Sequence, residues 1–150
     1  MLKLIILIFF SVLSLSSFAN EQRPVWQIVD EFFALQELNF MDKHPCRPVG
    51  QSCFRTACES VGTFECDEND EMDRLRRACR GVWGSECINI SKKYLNRFEY
   101  DNNREMVQLV NSCRGVIAPD CISYTCDKLG SFGCDNLSEI IYVNKVCAGN

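Results

Sequence analysis

The chain has 150 residues, a formal net charge of −4 and 11 cysteines, and 24% of its residues are charged. An acidic chain lacks the basic surface by which proteins bind nucleic acid, so we expect no nucleic-acid partner. So many cysteines are typical of a disulfide framework in an exported protein. A zinc site would show C-x-x-C pairs, and because the sequence has none, we expect no metal and no other cofactor.

The N-terminal 19 residues have the parts of a secretory signal peptide. Lys3 supplies one positive charge, an apolar run extends from Leu4 to Leu15, and Ser17 and Ala19 form a small-x-small pair. These features predict a signal peptide over residues 1–19 and one mature domain over residues 20–150. A retained membrane anchor is the alternative, but the apolar run is shorter than the roughly 20 residues that span a bilayer. We therefore expect a secreted or periplasmic protein with no stable membrane insertion after signal removal.

The mature chain opens with a predicted amphipathic helix. Pro24 suits a first helical turn. Apolar residues then recur at helical spacing: Val25, Ile28, Val29, Phe32 and Leu35. The stretch from Cys46 to Cys53 is similar to the Cys-Arg-Gly-Val stretches from Cys79 to Cys87 and from Cys113 to Cys121, but it is one residue shorter. We interpret residues 20–52 as half a repeat that caps the N-terminal end of a stack.

Three repeats with a period of 34 residues follow, over residues 53–86, 87–120 and 121–150. A period of this length is the signature of stacked supersecondary units. The sequence therefore predicts an all-α fold, a short solenoid of disulfide-stapled helical hairpins. Six positions are identical in all three repeats: Cys53/Cys87/Cys121, Phe64/Phe98/Phe132, Asp67/Asp101/Asp135, Glu71/Glu105/Glu139, Cys79/Cys113/Cys147 and Gly81/Gly115/Gly149.

Each repeat is predicted to form a helix A, a short turn and a helix B. Three repeats and the opening helix together give about seven helices. We interpret the phenylalanine that recurs in the turn as a buried plug. Helix B is expected to begin near the recurring aspartate. The Asn-x-x-Glu spacing from Asn102 and from Asn136 is that of a capping box.

Two cysteines of the outer repeats are missing together from the middle repeat, where Lys92 and Tyr100 take their places. Cysteines that are lost together are most simply explained as bonded to each other where they are present. This comparison predicts two bonds: Cys58–Cys66 and Cys126–Cys134.

The seven remaining cysteines fit two schemes. The first bridges the loops between repeats and leaves Cys147 free: Cys46–Cys53, Cys79–Cys87 and Cys113–Cys121. The second closes each hairpin and leaves Cys46 free: Cys53–Cys79, Cys87–Cys113 and Cys121–Cys147. At about 1.5 Å rise per residue the two ends of a hairpin lie level, so both schemes are sterically allowed. We prefer the first, because its near-constant spacing is the best-kept feature of the chain. Cys147 is then the candidate free thiol, available for a disulfide-linked dimer.

Cysteine pairs eight positions apart recur once per predicted hairpin between Cys46 and Cys147, behind a signal peptide. In this spacing the chain resembles the secreted cysteine-rich helical-repeat proteins of bacteria, which are relatives of the tetratricopeptide class. The resemblance implies an α/α solenoid that works as a binding surface. It implies no particular functional residue.

No pattern in the sequence predicts a catalytic site. His44-Pro45-Cys46 sets the one histidine beside a cysteine, but sequence adjacency is not the geometry by which a base activates a thiol. The acidic run from Glu65 to Asp73 lacks the glycine and terminal glutamate of an EF-hand in register. Basic residues lie toward the end of the first helix B, where they complement the negative end of the helix dipole. A second interpretation is that they form a patch that binds an anionic surface. These residues are Arg74, Arg76, Arg77 and Arg80.

Together these features lead us to expect an exported, non-enzymatic scaffold that binds another protein of unknown identity. Two alternatives stay open at this point. A thiol-dependent enzyme or redox protein would use the unpaired cysteine as a reactive, low-pKa thiol. A small inhibitor of an envelope hydrolase would form a tight one-to-one complex with its target.

Overall fold

A computed structural model describes residues 23–36, 51–130 and 132–149. Over these ranges the chain is all-α, and an isolated β-bridge between Val82 and Arg114 is the one strand-type pairing there. The predicted all-α fold with about seven helices is confirmed for the described residues. The α-helices are α1 (Val25–Gln36), α2 (Gln51–Val61), α3 (Asn69–Ala78), α4 (Glu86–Tyr94), α5 (Asn103–Ser112), α6 (Asp120–Leu129) and α7 (Leu137–Cys147). Two 3-10 turns, Thr63–Glu65 and Arg97–Glu99, follow α2 and α4.

The last six helices form three hairpins: hairpin 1 (α2 and α3), hairpin 2 (α4 and α5) and hairpin 3 (α6 and α7). A disulfide bond joins the start of the first helix to the end of the second in each hairpin, with Cα–Cα distances of 5.8, 5.8 and 5.9 Å. The bonds are Cys53–Cys79, Cys87–Cys113 and Cys121–Cys147.

The preferred scheme of bonds between repeats is therefore wrong, and so is the free thiol at Cys147. The bonds expected at Cys79–Cys87 and Cys113–Cys121 are absent, while Cys46 lies outside the described residues. The physical reason is the matched length of the paired helices, which have 11 and 10, 9 and 10, and 10 and 11 residues. Antiparallel helices of equal length bring the first residue of one beside the last residue of the other.

Shorter bonds tie the first helix to the turn after it in hairpins 1 and 3. The structure contains both bonds that were predicted from the absence of two cysteines in the middle repeat: Cys58–Cys66 and Cys126–Cys134. In hairpin 2 the Lys92 ammonium lies over the ring of Tyr100, with 5.5 Å from Nζ to the ring centroid. Lys92 also donates a hydrogen bond to Ser60 Oγ at 2.6 Å, and burial lowers the pKa of its ammonium group. A cation–π contact thus takes the place of the missing disulfide.

The three hairpins lie side by side in chain order. α4 packs between α2 and α6, and α5 packs between α3 and α7. Phe54 and Met72 of hairpin 1 are half-buried, whereas their equivalents Ile88 and Met106 are fully buried. The difference arises because, among the described residues, hairpin 1 has a neighbouring hairpin on one side only. The side chains with no more than 2% exposure at the centre include Leu75, Val82, Ile88, Met106, Leu109, Ile122 and Ile140.

A buried polar cluster joins hairpin 3 to hairpin 2. Asn144 of α7 donates from Nδ2 to Ser112 Oγ at 2.8 Å and to Ser91 Oγ at 3.0 Å. Ser91 Oγ in turn contacts Asn144 Oδ1 at 3.2 Å. All three residues are buried. Buried polar groups are stable only when paired, so this cluster favours one register between the two hairpins.

Helix α1 lies at the opposite end of the row from the one expected. The predicted helix is present, but it packs mainly against α6 and α7 rather than against hairpin 1. The Phe32 ring lies 5.6 Å from the Tyr124 ring, and the Tyr124 hydroxyl donates to Glu31 Oε1 at 2.8 Å. Among the described residues no hairpin follows hairpin 3, so its outer face is available for the apolar stripe of α1. The expected cap of the N-terminal end thus covers the C-terminal end.

Candidate binding surface

Three phenylalanines at the same position of each hairpin project into solvent. Phe64, Phe98 and Phe132, here called the Phe row, are 89%, 77% and 84% exposed. The sequence-based interpretation of this residue as a buried plug is wrong. Apolar side chains so fully exposed, at equivalent places in three successive units, form the clearest candidate for a binding surface in the described residues.

In hairpins 1 and 2 the residue after the phenylalanine orients the turn. Glu65 follows Phe64 and accepts a hydrogen bond at Oε2 from the backbone N–H of Asn103, at 2.9 Å. Glu99 follows Phe98 and accepts one from the N–H of Leu137, at 3.1 Å. In both cases the carboxylate of one hairpin satisfies the first N–H of the second helix of the next hairpin, where the helix dipole favours negative charge. The turn directs its glutamate toward the next hairpin, and the neighbouring phenylalanine faces solvent.

Hairpin 3 has glycine at the corresponding position, Gly133. No described hairpin follows it, so no helix N-terminus needs a carboxylate there. A Cβ atom at Gly133 would also lie 2.3 Å from the Leu129 Cβ, which leaves no room for a side chain. Phe132 keeps its exposure without this link, so the exposed ring is common to all three turns and the glutamate is confined to the two hairpin junctions.

The surroundings of the Phe row are acidic. An exposed aspartate stands three residues after each phenylalanine: Asp67, Asp101 and Asp135, here called the Asp row. Among the residues that the structure describes, no lysine or arginine forms an ion pair with these carboxylates. Arg97 is the one basic residue in the three turn segments 63–68, 97–102 and 131–136. The surface therefore combines apolar rings with unneutralised negative charge.

A cavity of about 330 Å³ opens beside the third turn. Asp127 and Asp135 both line it, and Gly130 and Cys134, on either side of Phe132 in the sequence, line it as well. The Tyr94 hydroxyl, at the cavity wall, donates to Asp127 Oδ1 at 2.8 Å. Burial and this hydrogen bond raise the pKa of Tyr94, so its hydroxyl stays a donor at neutral pH. The cavity is thus lined by two carboxylates, and a neutral phenol holds the one of Asp127 in place.

Two of the four arginines that formed the second candidate surface in the sequence are paired with acids of α3. Arg74 bonds to Asp70, and Arg76 lies 3.5 Å from Asp73. The Arg76 guanidinium also stacks over the Phe54 ring, at 5.0 Å from the centroid. Charges paired along one helix in this way give little net positive potential. This helix face is a weaker candidate for a binding surface than the Phe row.

The other sequence-based candidates give no second site. His44 and Cys46 lie outside the described residues. Within the described ranges no group of three or more His, Cys, Asp or Glu residues is placed to hold a metal ion. In those same ranges no helix is both long and apolar enough to cross a membrane.

The outward-facing phenylalanines were missed by sequence reasoning, although a signal for them was present. The glutamate that follows the phenylalanine occurs in the first two repeats and is replaced by glycine in the third. A polar residue that disappears at the end of an array indicates a link between units, and its neighbour in a short turn then faces away.

A comparison of this chain with known proteins finds no matching family model, no matching curated protein and no matching solved structure.

Proposed function

We propose that this chain is an exported, non-enzymatic scaffold that binds another protein through the Phe row, presented by a short solenoid of 34-residue helical hairpins. The observation that carries the proposal is the exposure of the same phenylalanine in all three hairpins. Exposed apolar side chains scattered singly are common on proteins, but a repeated set is not explained by chance.

The Phe row offers more than half of the area that a specific interface needs on one partner. An aromatic side chain buries about 150–250 Å² on binding, so three of them supply about 450–750 Å². A standard-size interface buries about 800 Å² on each partner, with aromatic residues enriched at its centre. The Phe row would thus form the centre of such an interface.

Export is supported by the disulfide bonds. Five bonds join ten of the eleven cysteines. Such a density persists in oxidising compartments outside the cytosol, which agrees with the signal peptide predicted over residues 1–19. The likeness in cysteine spacing to secreted bacterial helical-repeat proteins points the same way.

The thiol-based alternatives move from Cys147 to another cysteine. Cys147 is bonded to Cys121, so it provides neither a reactive thiol nor a link between two chains. Cys46 is the cysteine left over from the five bonds, and a disulfide-linked dimer would have to use it. An inhibitor of a hydrolase would be one form of protein binding and would use the same Phe row.

The test is a triple variant, Phe64→Ser, Phe98→Ser and Phe132→Ser, produced with its disulfides formed. Because the rings are exposed, we expect the free energy of unfolding to change by less than about 1 kcal/mol per site. Buried plugs would instead cost about 3–5 kcal/mol each. Equilibrium urea denaturation separates these two outcomes.

Binding is tested by placing a photo-crosslinking phenylalanine analogue at position 64, 98 or 132 in cells of the source organism. We expect one discrete adduct, of the same partner, from all three positions. Ile117 and Trp83 supply the control, since they occupy equivalent positions in the two loops between hairpins and are also large, apolar and exposed (55% and 57%). Equal crosslinking from position 117, or none from the Phe row, would refute the proposal.

A further inference from the structure

The charge beside the Phe row narrows the class of partner. The Asp row repeats in register with the phenylalanines, so the motif Phe-x-x-Asp occurs three times. Within the part of the chain that the structure describes, these carboxylates have no cationic partner. A binding partner must therefore supply positive charge or leave these carboxylates uncompensated at the rim of the interface.

The acidic character argues against two other occupants. A second copy of this chain, packed through the same surface in a symmetric dimer, would place one Asp row against another, and like charges at an interface oppose association. A membrane of anionic lipids would repel the same carboxylates. Neither occupant matches the charge of the surface, whereas a basic polypeptide does.

We propose that the Phe row binds a basic segment of another protein, whose apolar side chains pack against the rings while a lysine or arginine side chain enters the cavity lined by Asp127 and Asp135. This inference rests on the proposed function and adds to it the chemistry of the partner. Asp127 is held by the Tyr94 hydroxyl at 2.8 Å, so one carboxylate of the cavity is already oriented before binding. A volume of about 330 Å³ accommodates a long basic side chain together with ordered water.

The spacing of the hairpins sets the length of such a segment. Packed helices lie roughly 8–10 Å apart, so the Phe row extends over roughly 16–20 Å. An extended chain rises about 3.3 Å per residue and covers this distance in about five or six residues. The recognised segment is therefore short, and a peptide can represent it.

The experiment selects peptides from a random phage-displayed library on the full mature chain with its disulfides formed. The library is first depleted on the Phe64→Ser, Phe98→Ser, Phe132→Ser variant, so that only binders that need the Phe row are recovered. We expect these peptides to carry a net positive charge together with aromatic or aliphatic residues. Their dissociation constants should rise at least tenfold on the triple variant.

The outcomes separate this inference from the proposed function. Peptides that need the Phe row but are neutral or acidic would overturn the basic partner and leave the binding surface in place. A selection that yields no peptide dependent on the Phe row would count against the surface itself. Sedimentation of the chain with phosphatidylcholine vesicles, lost in the triple variant, would identify a lipid surface instead and overturn a protein partner.

The cavity is tested with the recovered peptides and the variant Asp127→Asn, Asp135→Asn. We expect affinity about three- to tenfold weaker, and a smaller loss of affinity between low and high salt than in the parent chain. The variant Asp30→Asn, Asp120→Asn removes the same number of exposed charges elsewhere and should leave affinity unchanged. Equal loss in both variants would mean that net charge, and not the cavity, attracts the peptide.

Discussion

Lys92 and Tyr100 show how single residues replace a covalent bond in the middle hairpin. The equivalent positions are bonded cysteines in the outer hairpins, with Cα–Cα distances of 5.5 and 5.6 Å. Here a cation and a ring are in contact at 5.5 Å, and Ser60 of hairpin 1 accepts a hydrogen bond from the ammonium. Lys92 thus connects two hairpins, whereas each cysteine bond acts within one. With Lys92 and Tyr100 in place of two cysteines, hairpin 2 lacks the short-range disulfide but has an additional hydrogen bond to hairpin 1.

The first prediction is that the double variant Lys92→Cys, Tyr100→Cys forms a third short-range disulfide. A bond closing a loop of this size adds about 2 kcal/mol, and the lost cation–π contact removes about 0.5–1 kcal/mol. The lost Lys92–Ser60 hydrogen bond removes about 0.5–1.5 kcal/mol more, so we expect a net gain of about 1 kcal/mol or less in the free energy of unfolding, measured by urea denaturation of the oxidised protein.

The control for this exchange is Lys92→Ser, Tyr100→Ser, which removes the contact and cannot form the bond, and which should be less stable than the parent. Free thiols at both new cysteines after oxidation would show that the middle turn does not share the geometry of the outer turns.

At the scale of elements, α1 depends on a contact that titrates. The Tyr124 hydroxyl donates to Glu31 and is the main cause that lowers the pKa of this carboxyl; Arg23, at 2.9 Å from Glu31 Oε2, lowers it further. The pKa of Tyr124 is raised in turn, chiefly by the same hydrogen bond. The helix therefore packs on hairpin 3 through an apolar contact with Phe32 and an ionised carboxylate beside it.

The second prediction concerns the pH dependence of α1. Because the folded state lowers the pKa of Glu31, its stabilising effect is present above the unfolded pKa of about 4.3 and is lost as pH falls through the folded pKa. Hydrogen exchange should show that the amides of α1 exchange faster in Tyr124→Phe than in the parent at about pH 7. This difference should shrink toward about pH 3 as Glu31 becomes protonated.

The substitution Tyr142→Phe removes an exposed hydroxyl from α7 and serves as the control, with no expected change in α1. A difference between Tyr124→Phe and the parent that stays constant from about pH 7 to about pH 3 would exclude Glu31 as the titrating group.

At the scale of the whole molecule, each hairpin is closed by its own disulfide, and apart from the backbone the links between hairpins in the described residues are non-covalent. Hairpins 1 and 2 are joined by the Glu65–Asn103 hydrogen bond and by the Arg114 guanidinium, which donates from Nη2 to the Arg77 carbonyl at 2.9 Å. Hairpins 2 and 3 are joined by the Asn144 cluster and the Glu99–Leu137 bond. Among the described residues the hairpins are therefore covalently closed units, held against one another by non-covalent contacts and connected along the chain by the backbone loops alone.

The third prediction follows from this arrangement. Cys121→Ser, Cys147→Ser should lower the free energy of unfolding by about 3 kcal/mol, the effect of a bond that closes a loop of this length. Under non-reducing conditions a peptide map of the parent should contain a fragment in which Cys121 is linked to Cys147. A fragment linking Cys113 to Cys121 would contradict the hairpin closure.

The sequence alone determined the helical hairpins, their number and the short-range bonds. Helix boundaries follow from local signals, such as the Asn102 and Asn136 side chains that accept hydrogen bonds from the N–H groups of Glu105 and Glu139. The Cys58–Cys66 bond could be inferred because its two cysteines are absent together from the middle repeat. These features involve residues within one unit, so a comparison of units reveals them.

Only the tertiary structure decided which cysteines pair over long range, where α1 lies and which way the Phe row faces. A short loop between repeats and the paired ends of one hairpin would each bring two cysteines close together. The packing of the helices decides which of these two pairings forms. The apolar stripe of α1 predicts that this face of the helix is buried, but it does not predict which hairpin covers it, because the hydrophobic effect is not directional. A phenylalanine in a turn is equally compatible with burial and exposure. In hairpins 1 and 2 the contact of Glu65 and Glu99 with the next hairpin, over 38 residues, orients the turn, and Phe132 is exposed without such a contact.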